Sequence, residues 1–296
     1  MAASERIFKL LDEAPEPGRR TSAIAPSAVA AHPSAARQGV TVSFEDVWFA
    51  YDLAHVASGA AAPSEPEWVL RGVSFTVRPG ETLALVGHTG AGKTTVINLL
   101  LRFYEPQRGR ILVDGVDIRE ISLDALRRAV GYVQQDIFLF AADIATNIRL
   151  STPLSDAEVV AAAARVGADR VVARLPEGYR QRLGERGSSL SVGERQLLSF
   201  ARAIAADPAL LVLDEATSSV DSEVEAQIQR GLDVLMQGRT TIAVAHRLST
   251  ITRASEILVM HHGEVRERGT HRSLLAAGGL YARLYRLQAG ELATAS

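Results

Sequence analysis

The sequence predicts an α/β domain: a parallel sheet with helices on its faces, interrupted by a helical insertion. Three observations carry that expectation. An apolar run, Thr82 to Val86, leads through a glycine-rich loop into a helical stretch, Thr94 to Phe103. Strand-like and helix-like segments alternate again from Leu210 to Met260. Between these two regions the chain turns helical, from Asp143 to Ala206.

Taken in order, Ser4 to Asp12 reads as a short amphipathic helix, with Ile7, Leu10 and Leu11 on one side. Ala14 to Gly39 is rich in Ala, Pro, Ser and Arg and reads as a linker. Val42, Phe44, Val47, Phe49 and Tyr51 mark β-rich sequence that begins at Val40. A second low-complexity piece, Ala54 to Glu67, is expected to be a flexible surface insertion between two strands. The strand pattern resumes from Val69 to Val77. Arg110 to Val113 is a strand closed by the turn signal Asp114-Gly115, Leu123 to Ala129 is helical, and Gly131 to Gln134 is a short strand. Ser155-x-x-Glu158 is a capping box opening an Ala-rich helix, and Asp207-Pro208 stops the last helix of the insertion. Then come strand Leu210 to Leu213, helix Ser222 to Met236, and strands Thr240 to Ala245 and Ile257 to Met260.

Composition narrows the function. The chain has 296 residues, 47% of them hydrophobic, which is ample for a core. A formal net charge of −2 advertises no nucleic-acid surface. No cysteine is present, so disulfides, thiol chemistry and thiolate metal sites are excluded. No apolar run approaches the ~20 residues needed to span a bilayer, and the first residues lack the apolar core of a signal peptide. The isolated domain is expected to be soluble.

The run Gly87-His88-Thr89-Gly90-Ala91-Gly92-Lys93-Thr94 reads G-x-x-x-x-G-K-[ST], a phosphate-binding P-loop, in the strand–loop–helix context that motif requires. Glycines let backbone N–H groups converge on phosphate oxygens, and the helix N-terminus adds partial positive charge. The Lys93 ammonium can reach the β- and γ-phosphates, and the Thr94 hydroxyl can ligate Mg²⁺. A second motif, Leu210-Leu211-Val212-Leu213-Asp214-Glu215, is an apolar strand ending in two acids. Asp214 suits Mg²⁺, and Glu215 can polarise an attacking water as general base.

The third motif, Leu190-Ser191-Val192-Gly193-Glu194-Arg195-Gln196, resembles the Leu-Ser-Gly-Gly-Gln signature of ATP-binding-cassette (ABC) proteins. Ser191 and Gly193 match; Val192 and Glu194 depart from the pattern. Glu194 has two readings: a carboxylate beside a polyphosphate, or the N3 member of a capping box with Ser191. Other landmarks fall in the family's order. Tyr51 resembles the aromatic that stacks on adenine. Gln135, with Gln134 beside it, resembles the glutamine that reaches Mg²⁺ and the water. Ser219-Val220-Asp221 resembles the loop crossing the dimer interface, and His246 the switch histidine at the γ-phosphate. Gly184-Glu185-Arg186-Gly187 looks like the exporter loop that touches the transmembrane domains, and residues Ser4 to Glu13 look like the segment linking the last membrane helix to the nucleotide-binding domain.

The resemblance covers roughly residues 40 to 288. It implies a P-loop NTPase with a RecA-like parallel-sheet core, an antiparallel β subdomain and an inserted α-helical subdomain. Residues 1–39 would be a linker from an absent transmembrane domain, and 40–290 the ATPase domain, with helices at about 136–206. ATP and Mg²⁺ are the implied cofactors. Catalysis would rest on Glu215, His246 and Gln135, and the metal on Thr94, Gln135 and Asp214. Nucleotide contacts would come from Tyr51, Gly87, His88, Thr89, Gly90, Ala91, Gly92, Lys93, Thr94 and Thr95, and from Ser191, Gly193 and Glu194 facing a second subunit. The implied partners are a second nucleotide-binding domain, identical or paired, and the transmembrane domains of the same transporter, at the cytoplasmic face of the inner membrane. A soluble ABC ATPase acting on nucleic acid is the rival; neutral charge and the Gly184 to Gly187 loop oppose it. A binding module with a dead ATPase is opposed by Asp214, Glu215 and His246.

Overall fold

The computed structural model describes residues 39–56, 66–150, 152–214, 222–245 and 248–294. Strands β1 (Val42–Phe49), β2 (Leu70–Val77), β4 (Arg108–Val113) and β5 (Val116–Asp117) form an antiparallel sheet in the order β2-β1-β4-β5. Strands β3 (Thr82–Val86), β6 (Val130–Val133), β7 (Leu210–Asp214), β8 (Thr240–Val244), β9 (Glu256–His261) and β10 (Glu264–Gly269) form the second sheet, ordered β10-β9-β3-β8-β7-β6. It is parallel from β9 to β6; only β10 runs antiparallel, against β9.

The near-continuous apolar runs of β3, β7 and β8 follow from burial on both faces. Alternation divides their side chains between two cores. Leu83, Leu85, Leu210, Val212, Ile242 and Val244 pack with the antiparallel sheet, where Phe44 stacks on Phe75 at 4.5 Å. Ala84, Leu211, Leu213 and Ala243 pack with the helical insertion. The sheet that carries the P-loop is thus clamped between the β layer and the insertion.

The insertion holds helices Ile144–Arg149, Asp156–Val166, Asp169–Val172 and Val192–Ala205. The capping box at Ser155 and Glu158 forms as expected. Between Ala173 and Ser191, however, the chain makes loops and short 3₁₀ turns rather than α-helix. Arg202 ties the insertion to the loop after β6: it donates to the carbonyl oxygens of Phe138 and Asn147, both at 2.9 Å.

Other expectations are corrected. The helix after the P-loop runs from Lys93 to Leu100, not to Phe103. Arg102 turns the chain at φ +54° so that its buried guanidinium can donate to the carbonyls of Ile118 and Ile121 at 3.1 and 2.9 Å. Tyr51 does not extend β1 but opens a helix, Tyr51–Val56. The Asp52 carboxylate accepts from Glu67 N at 3.2 Å and so joins the two ends of the low-complexity insertion, whose residues 57–65 lie outside the described set. The Ser4 to Asp12 helix and the linker to residue 38 also lie outside it. Helix Leu248–Arg253 and, beyond Met260, β10 and the two helices His271–Ala277 and Leu280–Thr294 were not expected from the sequence. No helix among the described residues is long and apolar enough to cross a membrane.

Candidate nucleotide-binding site

The P-loop runs from the end of β3 to the helix Lys93–Leu100. Gly92 caps that helix at φ +100°, a left-handed geometry that suits glycine, and no side chain caps its first N–H groups. These donors and the helix dipole together favour an anion. Gly87 is demanded by close approach: a Cβ there would lie 2.3 Å from the Met260 carbonyl oxygen.

A cavity of about 620 Å³ opens over this loop. Thr89, Gly90, Gly92, Lys93, Thr94 and Thr95 line it together with Tyr51, Gln135 and Asp214. Elements far apart in sequence therefore converge on one place. Of the adjacent pair, Gln135 lines this cavity and Gln134 does not. Thr94 is exposed to the cavity, whereas Thr95 is buried and meets the Tyr51 hydroxyl at 3.2 Å. Tyr51 is further fixed by Asn98 Nδ2, which donates to its hydroxyl at 3.3 Å, and by edge contacts with Phe49 and Tyr104. Gly87, His88 and Ala91 do not line the cavity; Ala91 is buried, Gly87 half-buried and His88 exposed.

Lys93 is 8% exposed, and its Nζ donates to the carbonyls of Gly87 and His88 at 2.6 and 3.0 Å. Burial holds its pKa below the ordinary lysine value, and the Asp214 carboxylate partly offsets that. Tyr132 on β6 hydrogen-bonds Asp214; burial and that carboxylate push the phenol up to about 12, so it stays protonated and donates. Tyr132 carried no signal in the sequence. It is found only because β6 and β7 are adjacent and parallel, with Tyr132 opposite Val212.

A model of the ABC transporter family matches residues 70–218. The chain belongs to the ABC transporter family. Among curated relatives, "Uncharacterized ABC transporter ATP-binding protein YknV" of Bacillus subtilis is 47% identical over 289 residues, 97% of this chain and 44% of the relative. An "ATP-dependent lipid A-core flippase" of Methylobacillus flagellatus is 43% identical over 97% of this chain and 46% of its own length. The solved structure of a bacterial Atm1-family ABC exporter with ATP bound matches 97% of this chain and 46% of its own, with 39% identity and a TM-score of 0.78. The chain thus spans less than half the length of these relatives. Its fold is the P-loop NTPase fold of an exporter's ATP-binding domain, a class of ATPases coupled to transport.

The segment resembling the ABC signature lies on the insertion, and Ser191, Gly193 and Glu194 are not among the residues that line this cavity with Lys93. Ser191 caps the helix Val192–Ala205, accepting from Glu194 N at 3.3 Å. Glu194 returns the bond, its Oε2 accepting from Ser191 N at 2.9 Å, and its Oε1 takes Nη2 of Arg174 at 2.9 Å. The sequence reading did not foresee Arg174. Gly193 also has a packing reason: a Cβ there would fall 2.2 Å from Val224 Cγ1 on the helix Ser222–Met236. In the Gly184 to Gly187 loop, Glu185–Gly187 forms a 3₁₀ turn with Arg186 at φ +55°; Gly184, Glu185 and Arg186 are exposed and Gly187 is buried. Glu215, Ser219 to Asp221 and His246 lie outside the described residues; the strands that lead to Glu215 and His246 end at Asp214 and Val244, which are paired in register.

Proposed function

We propose that this chain binds and hydrolyses Mg²⁺–ATP as the nucleotide-binding domain of an ABC exporter half-transporter. The observation that carries the reading is the convergence of Lys93, Thr94, Gln135 and Asp214 on one cavity at the uncapped N-terminus of the P-loop helix. The Thr94 hydroxyl, the Gln135 amide oxygen and the Asp214 carboxylate are hard oxygen donors, a set that suits Mg²⁺. Bound there with the phosphates, the ion would neutralise charge on the transferred group. Lys93 exchanges its two carbonyl contacts for phosphate oxygens, and burial strengthens that charge-assisted bond. Thr89 to Thr95 orient the polyphosphate, Tyr51 meets the base, and Tyr132 holds the Asp214 carboxylate in place. Glu215, one residue beyond Asp214, serves as general base, and His246 contacts the γ-phosphate.

Ser191, Gly193 and the helix dipole behind them complete the site of a second nucleotide-binding domain, identical or paired, in a head-to-tail dimer. Residues 1–39 lead to the transmembrane domains, 40–290 form the ATPase domain, and the helices within 136–206 transmit closure to the membrane-spanning partner. The printed names of relatives such as the lipid A-core flippase support a role in export. The assembly then sits at the cytoplasmic face of the inner membrane, with no nucleic-acid partner. The experiment is phosphate release from ATP by the purified chain and by Glu215→Gln. Turnover that is Mg²⁺-dependent and lost in the variant supports the reading; equal rates in both overturn it.

A further inference from the structure

His88, the second residue of the P-loop, stands beside the hairpin that joins β9 to β10. His261 ends β9, and His262 with Gly263 makes the two-residue turn. One ring nitrogen from each of His88, His261 and His262 lies within 4.8 Å of the others. His88 Nε2 is 2.8 Å from His261 Nδ1, and the three ring centroids are 4.2–5.5 Å apart.

The proton positions follow from the neighbours. His88 Nδ1 is 2.8 Å from the Thr89 carbonyl oxygen, which can only accept. The proton of neutral His88 is therefore on Nδ1, and the Nε2 lone pair faces His261. A backbone carbonyl that fixes the tautomer and aims the free nitrogen is the usual support of a metal-ligating histidine. His262 holds φ +48° and Gly263 φ +79°, as a tight hairpin turn requires. Asparagine or glycine would serve that turn at least as well; what histidine adds is an imidazole next to two others.

We propose that His88, His261 and His262 form a three-imidazole site for one divalent transition ion of the Zn²⁺ class, which ties the P-loop to the β9–β10 turn. Imidazole suits Zn²⁺ and its neighbours rather than Mg²⁺, so the site does not compete for the ion of the nucleotide. Metal–nitrogen bonds of about 2.0–2.1 Å need the rings to adjust by an ångström or so. His88 and His262 are exposed and can turn. Water completes the tetrahedron. The tie reaches the phosphate cradle directly: the His88 carbonyl accepts from Ala91 N at 3.1 Å and from Lys93 Nζ at 3.0 Å, and Ala91 O accepts from Gly263 N at 3.3 Å.

The test is calorimetric titration of the nucleotide-free, chelator-treated chain with ZnCl₂, and visible absorption with Co²⁺ as a geometry probe. One ion per chain with tetrahedral Co²⁺ bands is expected. His262→Asn, which tolerates the left-handed turn, and His261→Gln should each weaken binding about a hundredfold or more, since even second-sphere changes cost ~10–100-fold. Neither substitution touches a P-loop residue, and metal-free melting of each variant checks that it folds. No saturable binding, octahedral Co²⁺ spectra, or affinity unchanged in both variants overturns the site.

Discussion

Replacing Glu194 by glutamine tests whether the unusual signature weakens the grip on ATP or only caps a helix. Both carboxylate oxygens are committed, one to Ser191 N and the other to Arg174, each at 2.9 Å. The charge is thus largely answered within the chain before any phosphate approaches. Glutamine keeps an acceptor for Ser191 N but loses the ion pair and the helix-dipole term. Arg174 is 67% exposed and Glu194 26%, so the pair is worth about 0.2–1 kcal/mol, and the dipole term about 0.3–1 kcal/mol. The melting temperature should fall by about 2–4 °C per kcal/mol lost. ATP-dependent dimerisation, measured in a Glu215→Gln background at low and high salt, should hardly change. A salt-sensitive tightening of tenfold, about 1.4 kcal/mol, would refute the cap and show that Glu194 repels the γ-phosphate. Arg174→Gln sharpens the test: if Arg174 answers the charge, this variant weakens the dimer and Glu194→Gln restores it.

Glu215→Gln should keep ATP affinity, lose most turnover and trap an ATP-bound dimer, read by size-exclusion chromatography and phosphate release; parental turnover would remove the general-base role. Lys93→Ala should weaken ATP binding in calorimetry by about 1.5–3 kcal/mol, the worth of a hydrogen bond to a charged group; unchanged affinity would take the P-loop out of the mechanism. Gly193→Ala should destabilise the fold by about 1–3 kcal/mol because its methyl meets Val224, and chemical denaturation without nucleotide isolates that cost from any effect on the dimer. Deleting residues 58–64 should leave turnover intact, because Asp52 already joins the two ends of that segment at Glu67; a large loss of ATP binding would show that it serves the base pocket.

The legible parts of this chain are those whose conformation local chemistry decides. The P-loop strand, the helices Leu123–Ala129 and Ser222–Met236, and the capping boxes at Ser155 and Ser191 follow from periodicity and caps, and all form where expected. Failures occur where tertiary contacts decide. The helix after the P-loop should continue to Phe103 on apolar pattern alone, but the buried Arg102 finds its acceptors 16 and 19 residues away, near the turn after β5. β10 was invisible because its sequence, Glu264 to Gly269, is charged; it is an edge strand recruited by the His262-Gly263 turn. At the site, motif residues were readable, while Tyr132 and Arg174 were not, since they matter only through neighbours that the fold supplies.

The order of the sheet explains why motifs so distant in sequence make one cavity. Strands β3, β6, β7 and β8 are parallel, so their carboxyl ends lie along the same edge. Register keeps those ends level: Val133 pairs with Leu213, Leu213 with Ala243, and Leu85 with Val244. The chain leaves β3 into the P-loop, β6 into Gln135 and β7 from Asp214, each apolar strand delivering a polar residue where burial ends. A strand buried on both faces carries a carboxylate at its end, because one or two places earlier the charge would be desolvated without a partner. The boundary between apolar run and polar residue is therefore set by how far along each strand the flanking layers cover it, and the same boundary is where the cavity opens. That is why Leu210 to Asp214 was decisive in the sequence and why Asp214, half-buried at the strand's end, is within electrostatic reach of Lys93.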